Sequence, residues 1–406
     1  MRHKDGKPHI LVFSGHYLPG FKGGGPIRTL ANLVDQLGQE FHFLIVTSDR
    51  DLGDRQPYSG IVADRWVQRG HADVFYCSPG HRGWRALLRT PQVKTPDLLY
   101  INSLFSSWSS IYPLIHYRLG HFGQAPVLLA PRGELSKGAL SLKPIKKRAF
   151  LWASQLLGLH RGVTFQASSD HEADDIRRQF LVSPISLAID MGGRSRDQRI
   201  AVARNLSGAS TRALAPAIRE PSLFKLAFLA RIAPMKNLET ALAILSRLSG
   251  LAIEFNIYGT FEDTDYWRRC EAAIAALPPN IRVAYRGPVQ PEDVETVLSG
   301  YDAFLLPTLG ENYGHVIREA LSAGLPVLIS DRTPWRGLEA RGAGADLPLD
   351  DLDAFARRIR DWAALSPERF EDMRRAARAL GDDPVTAAAA LEANRQMFLD
   401  ALRQKT

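Results

Sequence analysis

Two cations and two acids stand out in the second half of the chain. Arg231 and Lys236 lie five residues apart in LARIAPMKNLETAL, between an apolar run and a helical pattern. At a strand-to-helix turn, two such cations can aim at one spot beyond the C-terminal edge of a sheet. A diphosphate needs that charge as its leaving oxygen becomes negative. Glu311 and Glu319 follow in PTLGENYGHVIREALSAGLPVLISD. On a single helix, eight residues would set them about 80° apart. A better arrangement puts Glu311 in the loop, Gly314 at the helix start and Glu319 more than a turn inside. Carboxylates only accept hydrogen bonds, which suits sugar and ribose hydroxyls, and the amides of residues 312–315 would stand beside them. In the first half, Gly23, Gly24 and Gly25 precede Pro26. Glycines let a backbone approach a ligand closely, and proline suits a first helical turn. No Lys-Ser/Thr follows, so this is not a Walker loop, and the spacing is not that of a dinucleotide fingerprint. Each signal also has an ordinary reading as a turn, a solvated charge or an acid at a helix dipole. By spacing alone, those ordinary readings hold.

The elements that must position these residues are legible as alternation. Apolar runs at 9–14, 41–47, 74–77, 98–102, 127–130 and 162–168 predict strands, and apolar positions 27, 30, 33, 34 and 37 predict a helix over 26–37. The pattern lapses over 185–222, where Ser, Arg, Ala and Gly accumulate as in an inter-domain connection. It resumes with strands at 224–230, 252–258, 282–286, 303–307 and 327–330. Helices are predicted at 237–248, 264–276, 291–298, 314–323 and 384–403. Strand–helix alternation on this scale means parallel sheets covered on both faces. The expected organisation is a first domain over 1–186, a linker over 187–222, a second domain over 223–385 and a terminal helix over 386–406. Two such domains would face each other across a ligand-binding cleft.

Composition narrows the function classes. Of 406 residues, 45% are apolar and 23% charged, which excludes disorder, collagen and a coiled coil for the whole chain. The cysteines, Cys77 and Cys270, are too few and too far apart for a disulfide framework or a clustered zinc site. They suit a reducing, cytoplasmic setting, and the apolar run near the N-terminus is too short for a signal peptide. The histidines show no metal-ligand spacing. Asp-x-Asp occurs at Asp49/Asp51, Asp263/Asp265 and Asp351/Asp353. Three occurrences in one chain make chance the reading, with Asp263 and Asp265 capping a helix at Tyr266. Charge is uneven: residues 1–190 hold 23 Lys and Arg against 15 acids, while residues 191–406 hold 28 of each. The first half should therefore meet something anionic. Residues 98–117 lack charge but contain Asn102, Pro113 and five serines, so they read as strand plus helix rather than a membrane span. The basic run Lys143, Lys146, Lys147, Arg148 beside Phe150, Leu151 and Trp152 reads either as a solvated face or as an amphipathic helix on an anionic bilayer. No nucleic-acid module appears.

Taken together, Arg231, Lys236 and E-N-Y-G-x4-E-A-x3-G-x-P-V resemble glycosyltransferase family 4, retaining enzymes of the GT-B fold. ASSDHEADDIRR and APRGELSKGAL resemble a subgroup that works on bacterial surface polysaccharides. The resemblance spans nearly the whole chain. It implies an α/β architecture of two Rossmann-like parallel-sheet domains facing a cleft, with the terminal helix crossing back to the first domain. By the same resemblance, Arg231 and Lys236 bind the donor diphosphate, Glu319 holds the ribose hydroxyls and Glu311 contacts the donor sugar. Amides at Asn312, Tyr313, Gly314 and His315 meet sugar and phosphate. Gly287 and Val289 lie where the base is held, and Gly24 and Gly25 close on the diphosphate or the acceptor. Asn102, Arg132 and Glu134 fall on the acceptor side. No cofactor and no metal is implied beyond the nucleotide-sugar itself.

There are departures. Where many relatives have a His after the fourth strand, Asn102 and Ser103 stand here, which keeps a hydrogen bond to sugar but not a general base. Where many have Pro-Asn-Gly before an inter-domain Asp, Leu187, Ala188 and Ile189 precede Asp190. The expected activity is transfer from a nucleotide-sugar to a hydroxyl of a lipid-linked saccharide, with retention, at the inner face of a membrane. A sugar-nucleotide epimerase of the same architecture and a non-catalytic sugar-nucleotide-binding protein stay as alternatives.

Overall fold

The computed structural model describes residues 6–180, 199–208, 220 and 222–404. They divide into two compact units: Met1–Ser207 with Ala388–Thr406, and Gly208–Ala387. The first unit runs β1 (His9–Ser14), α1 (Gly25–Leu37), β2 (His42–Ser48), β3 (Trp66–Arg69), β4 (Ala72–Cys77), α2 (His81–Leu88), β5 (Leu98–Asn102), α3 (Tyr112–Arg118), β6 (Val127–Ala130), α4 (Lys137–Ser141), α5 (Pro144–Leu156), β7 (Val163–Ala167), α6 (Asp170–Phe180) and β8 (Arg199–Val202). The second runs β9 (Phe224–Leu229), α7 (Leu238–Leu245), β10 (Ile253–Tyr258), α8 (Thr264–Ala275), β11 (Ile281–Gly287), α9 (Val294–Leu298), β12 (Ala303–Leu306), α10 (His315–Ser322), β13 (Val327–Ser330), β14 (Gly344–Leu347), α11 (Leu352–Ala363) and α12 (Pro367–Gly381). Helix α13 (Pro384–Arg403) follows, and most of it belongs to the first unit.

The first sheet has strand order β3-β4-β2-β1-β5-β6-β7-β8, and the second β11-β10-β9-β12-β13-β14. Apart from the antiparallel β3–β4 pair, the strand pairs are parallel. Helices cover the sheets, which is why central strands such as β1 and β5 read as near-continuous apolar runs rather than alternating ones. In β1, Leu11 and Phe13 enter one core with Leu44, Val46, Leu99 and Ile101. Ile10 and Val12 enter the opposite core with Phe43, Ile45, Leu98 and Tyr100. The period-two pleat shares one apolar strand between two layers.

Helix α13 closes that second core. Phe398 packs its ring 5.5 Å from Phe41, 6.0 Å from Phe43 and 5.4 Å from Tyr100. Asn394 Nδ2 donates to the Arg204 carbonyl at 2.7 Å, and Arg395 Nε meets Glu40 Oε2 at 2.6 Å.

Three strands have no counterpart in the sequence reading. β3, β8 and β14 are four residues each. They lie at sheet edges. Short strands at an edge have too little period to stand out. β8 falls inside the stretch read as linker and pairs with β7. The variant hinge residues 187–190 lie outside the described residues. Residues 98–117 divide into β5, a π-helical turn (Ser107–Ile111) and α3. Among the described residues, no helix is long and apolar enough to cross a membrane.

Candidate active site

A parallel sheet brings the C-terminal ends of its strands to one edge. The second chain segment runs β9, β10, β11 in one direction across the sheet, then returns to β12, β13, β14 on the other side of β9. The β9/β12 junction is thus where strand order reverses, and crevices at such reversals are where open α/β sheets bind ligands. Arg231 and Lys236 follow β9, Glu262 follows β10, Gly287 ends β11, Glu311–His315 follow β12 and Arg332 follows β13.

Lys236 Nζ donates directly to Glu311 Oε1 across the reversal. The side chains are 17% and 10% exposed, so the pair is mostly desolvated yet still reachable. The two loops are stitched by backbone-directed bonds. Met235 O accepts from Leu309 N and from Thr308 Oγ1, both at 2.9 Å, and Asn237 Nδ2 donates to Pro307 O at 2.8 Å. Asn237 itself sits at φ 60°, which ends the short turn carrying Lys236 and opens α7. Glu311 N donates to Arg332 O at 3.1 Å, anchoring the same loop to the one after β13.

Beyond Glu311 the chain turns into α10. Gly314 is its N-cap, at φ 77° and ψ 59°, and no side chain caps the helix or places an acid in its first turn. A Cβ at Gly314 would lie 2.8 Å from Ile317 Cδ1 and 3.4 Å from Trp335 Nε1. Trp335 holds the turn from the other side, donating through Nε1 to Tyr313 O at 2.7 Å. The Tyr313 and His315 rings meet edge-on with centroids 4.8 Å apart. Glu319 is four residues after His315, half-buried, and so on the same side of α10. The helix N-terminus offers amides and a positive dipole end to an anion, Lys236 adds a full charge, and Glu311 accepts from hydroxyls.

Arg231 takes a partner of its own. Its Nη1 donates to Glu262 Oε2 at 2.6 Å, both side chains being exposed. The two cations were expected to aim at one spot; each is instead balanced by one carboxylate, from the loop after β10 for Arg231 and the loop after β12 for Lys236. Glu262, Asn237 and Trp335 are residues the sequence reading did not single out. Only Asn237, directly after Lys236, sat within a motif. Gly287 ends β11 at φ 82°, and its carbonyl accepts from Gly259 N at 3.0 Å, while Val289 is half-buried against the core.

The first sheet also reverses, between β1 and β5. Gly24 is the N-cap of α1 at φ 69°, with no side-chain cap and no first-turn acid. A Cβ there would meet nothing within 4 Å. Gly25 begins the helix. Asn102 ends β5, and Asn102 Oδ1 accepts from Arg132 Nε at 3.2 Å. Arg132 also donates to Asn205 Oδ1 at 2.7 Å and Tyr100 Oη at 2.6 Å. That fixes the Asn102 amide with its Nδ2 buried and without a hydrogen-bond partner. Glu134 accepts from Leu104 N at 2.7 Å, Phe105 N at 3.0 Å and Ser103 Oγ at 3.0 Å. Desolvation pushes its carboxyl above the usual range despite these bonds. Arg132 and Glu134, expected on the acceptor side, thus hold loops of their own domain.

The Asp-x-Asp pairs have local work. Asp263 caps α8 through Tyr266 N at 2.9 Å, Asp351 caps α11 through Ala354 N at 2.8 Å, and Asp51 accepts from Phe21 N at 2.8 Å.

Residues 217–380 match the family model described as Glycosyl transferases group 1. No curated protein sequence matches the chain. Among solved structures, HepE of Anabaena, in complex with UDP and glucose, superposes with a TM-score of 0.65 at 15% identity, covering 97% of this chain and 98% of that one. Sucrose-phosphate synthase from Thermosynechococcus elongatus gives 0.67 at 16%, covering 97% and 100%. WaaG, a glycosyltransferase involved in lipopolysaccharide biosynthesis, gives 0.60 at 14%, covering 95% and 98%. Residues 217–380 of the second unit are thus similar to glycosyl transferases group 1, and the two parallel-sheet domains have the GT-B fold.

Proposed function

We propose that the chain is a retaining glycosyltransferase of family 4. It moves a sugar from a nucleotide-sugar to a hydroxyl of a lipid-linked saccharide in surface polysaccharide synthesis, and it works on the cytoplasmic face of a membrane whose anionic surface meets the basic first half. The observation that carries the reading is the Lys236–Glu311 pair set across the β9/β12 reversal at the uncapped start of α10. A diphosphate at that helix start would replace carboxylate as the partner of Lys236 and free Glu311 to accept from a sugar hydroxyl. Arg231, on the neighbouring loop, is drawn from Glu262 by the same charge. Glu319 takes the ribose, amides at Asn312, Tyr313, Gly314 and His315 line the phosphate and sugar, and Gly287 and Val289 flank the base. Gly24 and Gly25, from the first domain, serve the diphosphate or the acceptor.

No carboxylate is placed as a covalent nucleophile in this reading. The acceptor oxygen attacks from the face the leaving group departs, the C–O bond to phosphate breaks, and a phosphate oxygen takes the acceptor proton. Arg231 and Lys236 stabilise the charge that develops on the diphosphate. No divalent metal is required, since the cations of the chain supply that charge. The support is the cation–acid geometry, the family match over residues 217–380 and the UDP bound by HepE, which shares the fold.

The test is turnover of a nucleotide-sugar panel with and without a saccharide acceptor, with and without EDTA. Acceptor-dependent release of nucleoside diphosphate and an unchanged anomer, insensitive to EDTA, is expected. Release of an altered free sugar without acceptor would make the chain an epimerase, and binding without turnover a sugar-nucleotide-binding protein.

A further inference from the structure

Helix α5 turns only Leu151 and Ser154 fully inward. Its opposite side carries Ile145, Ala149, Trp152 and Leu156, at spacings of four, three and four, which line up along one face. Ile145 is 83% exposed, Trp152 53% and Leu156 59%, and Leu157 just beyond is 80% exposed. Helix α3 shows a second such row, Tyr112, Ile115 and Leu119, at 41%, 42% and 66%. Arg118 of α3 ties the two helices together, donating from Nη2 to Leu159 O at 3.0 Å and to Arg161 O in the turn after α5. Phe105 and Phe150 pack edge to face beneath, with centroids 5.6 Å apart. Phe150 and Leu151, read from the sequence as part of an outward apolar face, are thus partly or fully buried, and the outward face is the row through Ile145 and Trp152.

Single exposed apolar residues are ordinary, but a row of four along one helix face, tied near its end by Arg118 to a second row, is not. Its surroundings are positive. Residues 98–169 hold eight Lys and Arg against one acid, Glu134. Glu134 gives its carboxylate to Ser103 and to the amides of Leu104 and Phe105. Lys143, Lys146 and Arg148 are exposed beside the α5 row. A second copy of the chain on a symmetric contact would bring these cations against themselves. An anionic bilayer interface supplies both what the apolar rows need and what the cations need.

We propose that the α3–α5 ledge docks the protein on an anionic lipid surface, with Ile145, Trp152, Leu156 and Leu119 entering the headgroup–acyl boundary and Lys143, Lys146 and Arg148 meeting lipid phosphates. This deepens the membrane-facing part of the proposed function and rests on it; vesicle binding is read without donor or acceptor, so its failure leaves the turnover test standing.

The experiment is co-sedimentation of the full chain with vesicles of phosphatidylcholine alone or mixed with phosphatidylglycerol, beside sedimentation without lipid. Binding to the mixed vesicles, weakened by salt and absent from phosphatidylcholine alone, is expected. The triple variant Lys143→Glu, Lys146→Glu, Arg148→Glu should bind at least about 100-fold more weakly, at roughly fivefold per surface charge. Trp152→Ser with Leu156→Ser should also weaken binding, and all five positions are exposed, so both variants should melt with the parent chain. Equal binding to both vesicle types, or variants that bind as the parent does, would overturn the proposal. So would absence of vesicle binding together with a dimer that Trp152→Ser dissociates.

Discussion

The β1/β5 reversal of the first sheet and the β9/β12 reversal of the second are alike in topology, yet their charged residues are held differently. After β6, Arg132 reaches Tyr100, Asn102 and Asn205 together, and Glu134 is enclosed by amides. After β9, among the described residues, Lys236 meets a single carboxylate, Glu311, and Arg231 meets Glu262 alone. A cation with three internal partners is part of the scaffold. A cation with one partner, on a loop end facing an uncapped helix, can exchange that partner for a ligand. The difference separates residues that shape a domain from residues that can turn over a substrate.

The strongest way to break this comparison is Lys236→Ala. We expect kcat to fall by about 100- to 1000-fold, the range for losing one charge-stabilising donor. Its melting temperature should fall as well, because Glu311 is left mostly buried without its cation, and Lys236→Ala with Glu311→Ala should regain part of that stability but no activity. Arg231→Ala should lose activity likewise while keeping its melting temperature, because its pair with Glu262 is exposed and such pairs contribute little stability. Arg132→Ala should do the opposite. It strips partners from Tyr100, Asn102 and Asn205, so a loss of about 3 kcal/mol in a urea titration is expected. A stable, inactive Arg132→Ala would move the catalytic charge to the first domain.

A second test of the scaffold reading is pH. His160 is buried among the rings of Phe150, Phe165 and Phe180. Burial, and then the Arg118 charge, lower its imidazole from 6.5 to about 4. The unfolded chain therefore binds the proton first. The stability is complete above pH 6.5 and is lost as pH falls towards 4, by about 3 kcal/mol at most. Urea midpoints across that window should fall in the parent chain and flatten in His160→Asn. An unchanged slope in the variant would assign the loss to other groups.

The smallest effect sharpens the comparison between the two helix starts. Gly24→Ala and Gly314→Ala each force alanine to positive φ: at Gly314, in the left-handed region, for about 1 kcal/mol, and at Gly24, whose ψ of −135° lies near the region only glycine occupies, for about 2 to 3 kcal/mol. Only at Gly314 does the added Cβ also crowd Ile317. Gly314→Ala should therefore weaken donor binding by calorimetry beyond what its loss of stability accounts for. Donor affinity unchanged in Gly314→Ala would show that the α10 start is not packed around the donor.

Much of this was legible. The apolar runs marked eleven of the fourteen strands among the described residues, because strands covered on both faces carry few polar residues to blur them. Glu311 in the loop, Gly314 at the helix start and Glu319 inside it followed from the pattern before α10. What the sequence could not show was pairing. Glu262 lies 31 residues from Arg231, and Glu311 lies 75 from Lys236; only strand order decides which loops are neighbours. The internal partners of Arg132 and Glu134 were hidden for the same reason. A charged residue in a motif looks identical whether its partners are Tyr100 and Asn205 or a substrate.

The tail helix carries a consequence for biogenesis. Phe398 seals a core begun by residues 10–12, so the first domain is made of two pieces separated in the chain by the entire second domain. During synthesis the earlier piece must wait, with Phe41, Phe43 and Tyr100 uncovered, while some 180 further residues emerge and fold. Chaperone dependence should then concentrate on the N-terminal piece, although the second domain is contiguous and complete much sooner after its own first strand appears.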